Sequence, residues 1–268
     1  MVGQLVRGGC TIKLLIFQAA KGNAKLLVME AVARAAGILE ETLKAYAFSL
    51  PAGHSCPAAK ICKTIADRYT GKITDGKFQE YRCFAASDEA KSPQARRARW
   101  HNMDALKPLD EEGMTELILQ SLPHDLGICR IHVSGDFFNE KYFRAWCNVA
   151  RLNPDKLFYA YTQSLRYWVN LVERDYDDIP ANLNLTASHG GWTDDLIEQH
   201  KLRNSTVVLH PDDAEKLDLE VDHDDSHALI GHEDFALLIH HTQPKDSVAA
   251  EAIKRLKREG IKYGYSKN

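Results

Sequence analysis

The sequence predicts an α/β fold, an open partial (β/α)6 barrel, on three observations. Short apolar runs ending in polar residues recur along the chain, and five of them begin roughly 22 to 30 residues apart. That spacing fits a strand, a crossover helix and a return to a parallel strand. The segments between the runs carry helical patterning and caps. Finally, the expected carboxyl ends of the strands are polar and rich in glycine or histidine, and parallel α/β sheets and barrels bind ligands at that edge.

Residues 1–44 are a lead-in, and "AYAFSL" (45–50) is the first core strand. A cysteine-bearing insertion, 51–107, follows it. "RIHVSGD" (130–136) is the second strand. The helix after it starts at Asn139 as N-cap, presents Tyr142, Phe143, Trp146, Val149 and Ala150 on one face, and ends before Pro154. "LFYAYTQS" (157–164) and "LNLTASHGG" (183–191) are the next strands, then a helix "TDDLIEQHKL" capped by Thr193. "STVVLHPDD" (205–213) and "FALLIHHTQP" (235–244) complete the six. A last helix, within a segment 245–268, is capped by Ser247 and stops at Gly260. Alternating strands and helices imply one domain, 1–268, around a parallel sheet buried on both faces. Six units suit an open barrel better than a closed eight-stranded one.

The 268 residues are 44% apolar and 26% charged, with a net charge of −3, which describes an ordinary globular protein and gives no global polyanion-binding signal. No apolar run is long enough to span a membrane, and the N-terminus lacks a secretory cleavage site, so a cytoplasmic protein is expected. The cysteines, Cys10, Cys56, Cys62, Cys83, Cys129 and Cys147, are too few for a disulfide scaffold. Cys129 and Cys147 read as small buried hydrophobes, and Cys10 carries no signal.

Cys56 and Cys62 are separated by five residues, and Cys83 follows after twenty more. Three thiolates can hold zinc with a fourth ligand, for which His54 is placed, or hold three irons of a [4Fe-4S] cluster and leave one open. Zinc sites favour cysteine pairs two to four apart, and no such pair occurs here. A cluster presents separate irons to its ligands and tolerates wider spacing, which favours iron.

Two further stretches carry chemistry. "DHDDSHAL" (222–229) holds three aspartates and two histidines, which suit a divalent metal or acid–base work by His223 or His227, or else form a solvated acidic loop. His240 and His241 end a strand, so alternation directs them to opposite faces, one of them into the site. "KSPQARRARWHNMDALK" (91–107) starts a helix after Ser92 and Pro93; its Arg96, Arg97 and Arg99 beside Trp100 form either a nucleotide or nucleic-acid patch or a solvated helix face.

"FSLPAGHSCPAAKIC", "RCFAAS", "RIHVSGDFF", "FYAYTQSL", "LTASHGG", "DHDDSHAL" and "FALLIHHTQP" together resemble the bacteriophage "gene product 88" family across residues 45–244. The chain is also similar, more distantly, to the radical S-adenosylmethionine enzymes. Those have a six-stranded partial barrel, three cluster cysteines after the first strand, and a polar tip after the second that contacts the cofactor's methionine part. Their usual pattern is CxxxCxxC, whereas this chain has CxxxxxC and a long gap. The second resemblance implies that Cys56, Cys62 and Cys83 ligate three irons while S-adenosylmethionine chelates the fourth. A one-electron transfer to its sulfonium would then yield a radical that abstracts a substrate hydrogen. Ser134, Gly135, Asp136, Thr162, Ser164 and Ser188 would surround the cofactor, and Asp136, Asp225 and His227 are the candidate catalytic groups.

These readings converge on an iron–sulfur enzyme of a phage, acting on a nucleotide or DNA base in the host cytoplasm, with an external electron donor. One alternative is a zinc-dependent barrel enzyme for base exchange or hydrolysis, using Asp136 or Asp225. Another is a non-catalytic, metal-stabilised module that binds nucleic acid or a host protein.

Overall fold

A computed structural model describes residues 4–7 and 10–263. Its strands are β1 (Gln4–Arg7), β2 (Cys10–Lys13), β3 (Gln18–Ala19), β4 (Lys44–Ser49), β5 (Thr64–Ala66), β6 (Ile73–Asp75), β7 (Leu126–Ser134), β8 (Leu157–Thr162), β9 (Leu183–Ser188), β10 (Asn204–Val208), β11 (Glu220–Val221) and β12 (Phe235–Leu238). The helices are α1 (Ala24–Ala35), α2 (Phe84–Lys91), α3 (Pro93–Leu106), α4 (Glu111–Ser121), α5 (Glu140–Arg151), α6 (Leu165–Val169), α7 (Asp195–Gln199), α8 (Pro211–Lys216), α9 (Ser226–Ile230) and α10 (Val248–Arg258).

An eight-stranded sheet runs β11-β12-β10-β9-β8-β7-β4-β3. All its pairings are parallel except β3 with β4. The six expected strands are all present, as β4, β7, β8, β9, β10 and β12, and they lie side by side in chain order. β3 and β11 extend the sheet at either edge, and among the described residues no pairing joins those edges. The finding is therefore an α/β fold on a mostly parallel, open sheet. β1–β2 and β5–β6 are separate antiparallel hairpins.

Both sheet faces are buried, because strand side chains alternate between two apolar layers. Phe48, Cys129, Ile131, Phe158, Ala160, Leu183 and Leu185 point to one side, where α3, α4 and α5 supply Met103, Leu106, Met114, Ile118, Tyr142, Phe143 and Trp146. Ala45, Ala47, Ile128, Tyr159 and Phe235 point to the other, where α1 adds Leu26, Met29 and Ala33 and α9 adds Ala228 and Leu229. Cys129 and Cys147 sit fully buried in the first layer.

The caps follow the sequence with one exception. Asn139 accepts from Tyr142 N (2.8 Å), Ser92 from Ala95 N (3.2 Å) and Ser247 from Ala250 N (3.1 Å). α7 instead begins after Asp194, not Thr193. The Asp194 carboxylate takes the amides of Gly190 (2.7 Å) and Gly191 (2.8 Å), fixing the β9 tip, while Thr193 Oγ1 is buried without a partner.

Candidate functional site

The 51–83 insertion lies across the carboxyl ends of the strands and is stitched to them. Leu50 N donates to Ser134 O (2.8 Å) and Ser134 Oγ donates to Leu50 O (2.8 Å), joining the β4 and β7 tips. Gly135, at φ +89°, lets this junction close, since a Cβ there would stand 2.5 Å from Ser55 Oγ and 2.8 Å from Leu50 Cβ. At the β9 tip, Gly190 O accepts from Ile61 N (3.0 Å) and Trp192 N donates to Ala58 O (3.0 Å). At the β12 tip, Gln243 Oε1 accepts from Arg82 N (2.7 Å). The β10 tip stays out of this assembly: His210 caps α8 and pairs with Glu259 (2.8 Å).

Within this frame Cys56 and Cys62 lie six residues apart on one loop, and Cys83 stands at the start of α2. Burial, and then the charges of Asp136, Cys83 and Cys62, push the Cys56 thiol well above its ordinary pKa. Burial, and then the charge of Cys83, push Cys62 up to about 12, while its Sγ–H donates to Gln163 Oε1 (3.6 Å). Cys83 is the N-cap of α2; burial raises its pKa, opposed by the nearby Ala86 and Ala85 amides. Each thiol thus lies within the field of another, in a site where thiolates are costly without a cation. Among the described residues no group of three His, Cys, Asp or Glu side chains is arranged to hold a single metal ion.

His54 is not with the thiols. It is exposed, 4.9 Å from the Trp100 ring, with Nε2 3.3 Å from Ala66 O. The charge of Asp136 reaches Cys56 and Cys62, as that of Glu89 reaches Cys83, and Asp136 is fully engaged. Its Oδ1 accepts from Phe137 N (2.7 Å) and Thr162 Oγ1 (2.6 Å), and its Oδ2 accepts from Gln163 N (2.9 Å). Burial raises its pKa to about 6 against these bonds. Ser164 Oγ donates to Phe137 O (2.9 Å) and Ser134 Oγ also donates to Glu89 Oε1 (3.1 Å). The expected cofactor side chains Ser134, Asp136, Thr162 and Ser164 therefore tie the strand tips to each other instead of facing a ligand. Ser188 is half-buried at the β9 end.

Asp225 and His227 lie elsewhere. The fully buried Asp225 carboxylate pairs with Lys25 and with Arg130 Nη1 (2.5 Å), and accepts from Tyr159 OH (3.0 Å) and Tyr161 OH (2.9 Å). Burial opposes its ionisation, but Arg130 and Lys25 hold its pKa below the usual range. His227 stands 3.4 Å from Asp222 and 3.3 Å from Glu220. The acidic stretch holds no metal cluster among the described residues and is not wholly solvated: Asp222 and Asp225 are buried, His223 is exposed, and Ser226 to Leu229 belong to α9. His240 and His241 do not diverge: both rings lie against Phe84, at 5.2 and 5.5 Å. β12 ends at Leu238 and His241 has φ +61°, so strand alternation no longer applies.

The arginines of α3 are structural as well. Buried Arg96 donates to Arg68 O (3.0 Å) and to Glu89 O. Buried Arg99 donates to Ala85 O (2.9 Å) and Glu89 Oε1 (3.0 Å). Only Arg97 of the three is exposed. Glu89, which the sequence reading missed, also accepts from Ala52 N (2.8 Å) and so pins the start of the cysteine loop. Gln163 and Tyr81 were missed too; Tyr81 is raised well above its ordinary pKa by burial and then by the charges of Cys62 and Cys83. "SDEAK" reads as a solvated turn of helix and carries no sign of a buried carboxylate.

Fold and site define an α/β protein whose mostly parallel sheet carries a three-cysteine insertion across its strand tips. The family profile described as Gene product 88 matches residues 15–259, and the chain belongs to that family. The Gene 88 protein of Mycobacterium phage L5 is 26% identical over 200 residues, covering 65% of this chain and 77% of that protein. No solved structure matches the chain significantly. Among the described residues no helix is long and apolar enough to cross a membrane.

Proposed function

We propose that this protein is an iron–sulfur enzyme, with Cys56, Cys62 and Cys83 holding a [4Fe-4S] cluster, that acts on a nucleotide or DNA base in the cytoplasm of an infected bacterium. The observation that carries the reading is three half-buried thiols, two on one loop and the third at the start of α2, that lie within one another's fields. One ion needs its thiolates about 2.3 Å away, all around one point, whereas a cube offers a separate iron to each. The lack of a single-ion group among the described residues is compatible with the cube. Raised thiol pKa values give the same preference for bound cations, because a metal returns the stabilisation that burial removes.

A partial barrel, as in the radical S-adenosylmethionine enzymes, is supported by six parallel strands in chain order and by one insertion bonded to the tips of the first strand and the last. Bound here, the cluster would supply a single electron at the iron that no cysteine holds. Of the chain's own residues, the Ala85 and Ala86 amides at the start of α2 would favour the Cys83 thiolate, Gln163 lies beside Cys62, and the Asp136 bonds hold the β7 and β8 tips together. S-adenosylmethionine is proposed as co-substrate on the resemblance alone. The side chains expected to grip it are engaged with one another, so no step is assigned to them.

Protein purified without oxygen should be brown, absorb broadly near 400 nm and contain about four irons and four sulfides per chain. Cys56→Ala, Cys62→Ala and Cys83→Ala should each lose most of the iron. Unchanged metal in all three variants would overturn the reading, and one zinc per chain would replace it with the zinc enzyme.

A further inference from the structure

Arg96 and Arg99 are buried, so a nucleic-acid contact cannot rest on α3. Another surface has the required chemistry. Trp192 is 54% exposed and Phe78 is 47% exposed, and their rings meet edge to face at 5.3 Å and 88°. Lys60 Nζ lies 5.1 Å from the Trp192 ring centroid and Lys77 Nζ 5.3 Å from that of Phe78. Among the described residues neither ammonium has a carboxylate partner. Asp75, two residues before Lys77, is taken by Arg82 (2.6 Å), and Asp194, two residues after Trp192, is engaged by the Gly190 and Gly191 amides.

The platform is built from the site itself. Lys60 lies between Cys56 and Cys62, Phe78 lies on the segment leading to Cys83, and Trp192 is fixed by its backbone bond to Ala58. Large aromatic rings left half in water, with unpaired cations over them, match the base-stacking surfaces of single-strand binders, where rings take unpaired bases and ammonium groups take phosphates.

We propose that Trp192, Phe78, Lys60 and Lys77 form a docking platform for single-stranded nucleic acid beside the cysteine site. The inference rests on the proposed function for its substrate class, but the platform stands on geometry independent of the cluster. A folded duplex has its bases stacked internally and offers the rings nothing. Stacking at the platform would leave a strand anchored beside the thiols, so that a neighbouring unstacked nucleotide reaches the centre.

The test is fluorescence anisotropy with labelled 12-mer oligothymidylate and oligouridylate, with iron content measured on the same samples. The full-length wild-type protein should bind the oligomers more weakly as salt rises, and a 12-bp duplex should compete poorly. Trp192→Ala should weaken binding about tenfold or more, the loss of one stacked base. Trp192→Phe should retain most of it, and Lys60→Gln with Lys77→Gln should flatten the salt dependence. A preference between the two oligomers identifies DNA or RNA as the source, and either supports the platform. No binding by iron-replete wild type, equal binding of duplex, or unchanged binding in a folded Trp192→Ala with Phe78→Ala double variant would overturn it. Iron content separates the two ideas: loss of binding with full iron leaves the cluster standing, and binding without iron leaves the platform standing.

Discussion

Gln243 holds the backbone of Arg82 from 161 residues away, accepting from Arg82 N at 2.7 Å and donating to Arg82 O at 3.3 Å. The same amide donates to His240 O (2.9 Å), so the end of the last long strand clamps the residue before Cys83. Gln243 is 8% exposed, and removing it takes these bonds from the half-buried Arg82 and His240 backbone. Gln243→Ala should raise the rate at which a thiol reagent labels Cys83 in metal-free protein by about tenfold, the effect of losing roughly 1–2 kcal/mol of local stability. Equal labelling rates, read by peptide mapping, would show that the clamp does not restrain the cysteine.

Glu89 binds the loop and its neighbours through a single oxygen: Oε1 accepts from Ala52 N, Arg99 Nη1 and Ser134 Oγ. Burial raises its pKa, with Arg99 opposing. Glu89→Ala strands the buried Arg99 and frees the start of the cysteine loop, but Arg99 keeps its bond to Asp88 Oδ2 (2.6 Å). Stability in urea should therefore fall by about 3 kcal/mol, the low end for breaking a buried pair. Iron occupancy should fall with it. A loss under 1 kcal/mol would mean that Asp88 replaces it.

The parallel strands were legible because each is a dense apolar run bounded by polar turns, and the Asn139, Ser92 and Ser247 caps because their signals are local. The lead-in hid α1, which packs Leu26, Met29 and Ala33 onto a sheet face through long-range contacts. β3 and β11 have two residues each, too few for any period. The three thiols stand out in the sequence by their spacing, whereas the surroundings of Asp225 do not. "DHDDSHAL" looks fit for solvent, and its burial depends on cations from α1 and β7 that no local pattern announces. The arginines of α3 misled for the same reason: nothing within "QARRARW" shows that Glu89 and loop carbonyls take two of its guanidinium groups.

Asp225 offers a test of its structural reading. Its φ is +67°, a region that asparagine enters readily, so Asp225→Asn removes charge without adding backbone strain. Lys25 and Arg130 would then share no buried carboxylate at that point, and stability should drop by about 3–5 kcal/mol. Asp225→Gly, which relaxes the backbone further, should not restore it. If Asp225→Asn melts like wild type yet abolishes turnover, the carboxylate acts in the chemistry after all.

His132 sets a pH dependence. It has φ +67° in the apolar layer, with Nε2 3.0 Å from Tyr142 OH and Nδ1 buried without a partner. Burial lowers its pKa from the ordinary 6.5 to about 3, so between those values the unfolded chain binds a proton that the native state refuses. The native advantage is complete above pH 6.5 and is lost as pH falls toward 3, with a slope of about 1.4 kcal/mol per pH unit well inside that window. His240, lowered by burial to about 4, slopes the same way, so the wild-type curve alone cannot isolate His132. The variant His132→Asn tolerates the positive φ, which asparagine adopts readily, and removes the titrating group. Its stability should be lower at pH 7, but the fall between pH 6 and pH 5 should be shallower than that of wild type by about 1.2 kcal/mol. Urea unfolding at the two pH values decides it: parallel losses would mean that His132 is protonated in the native core.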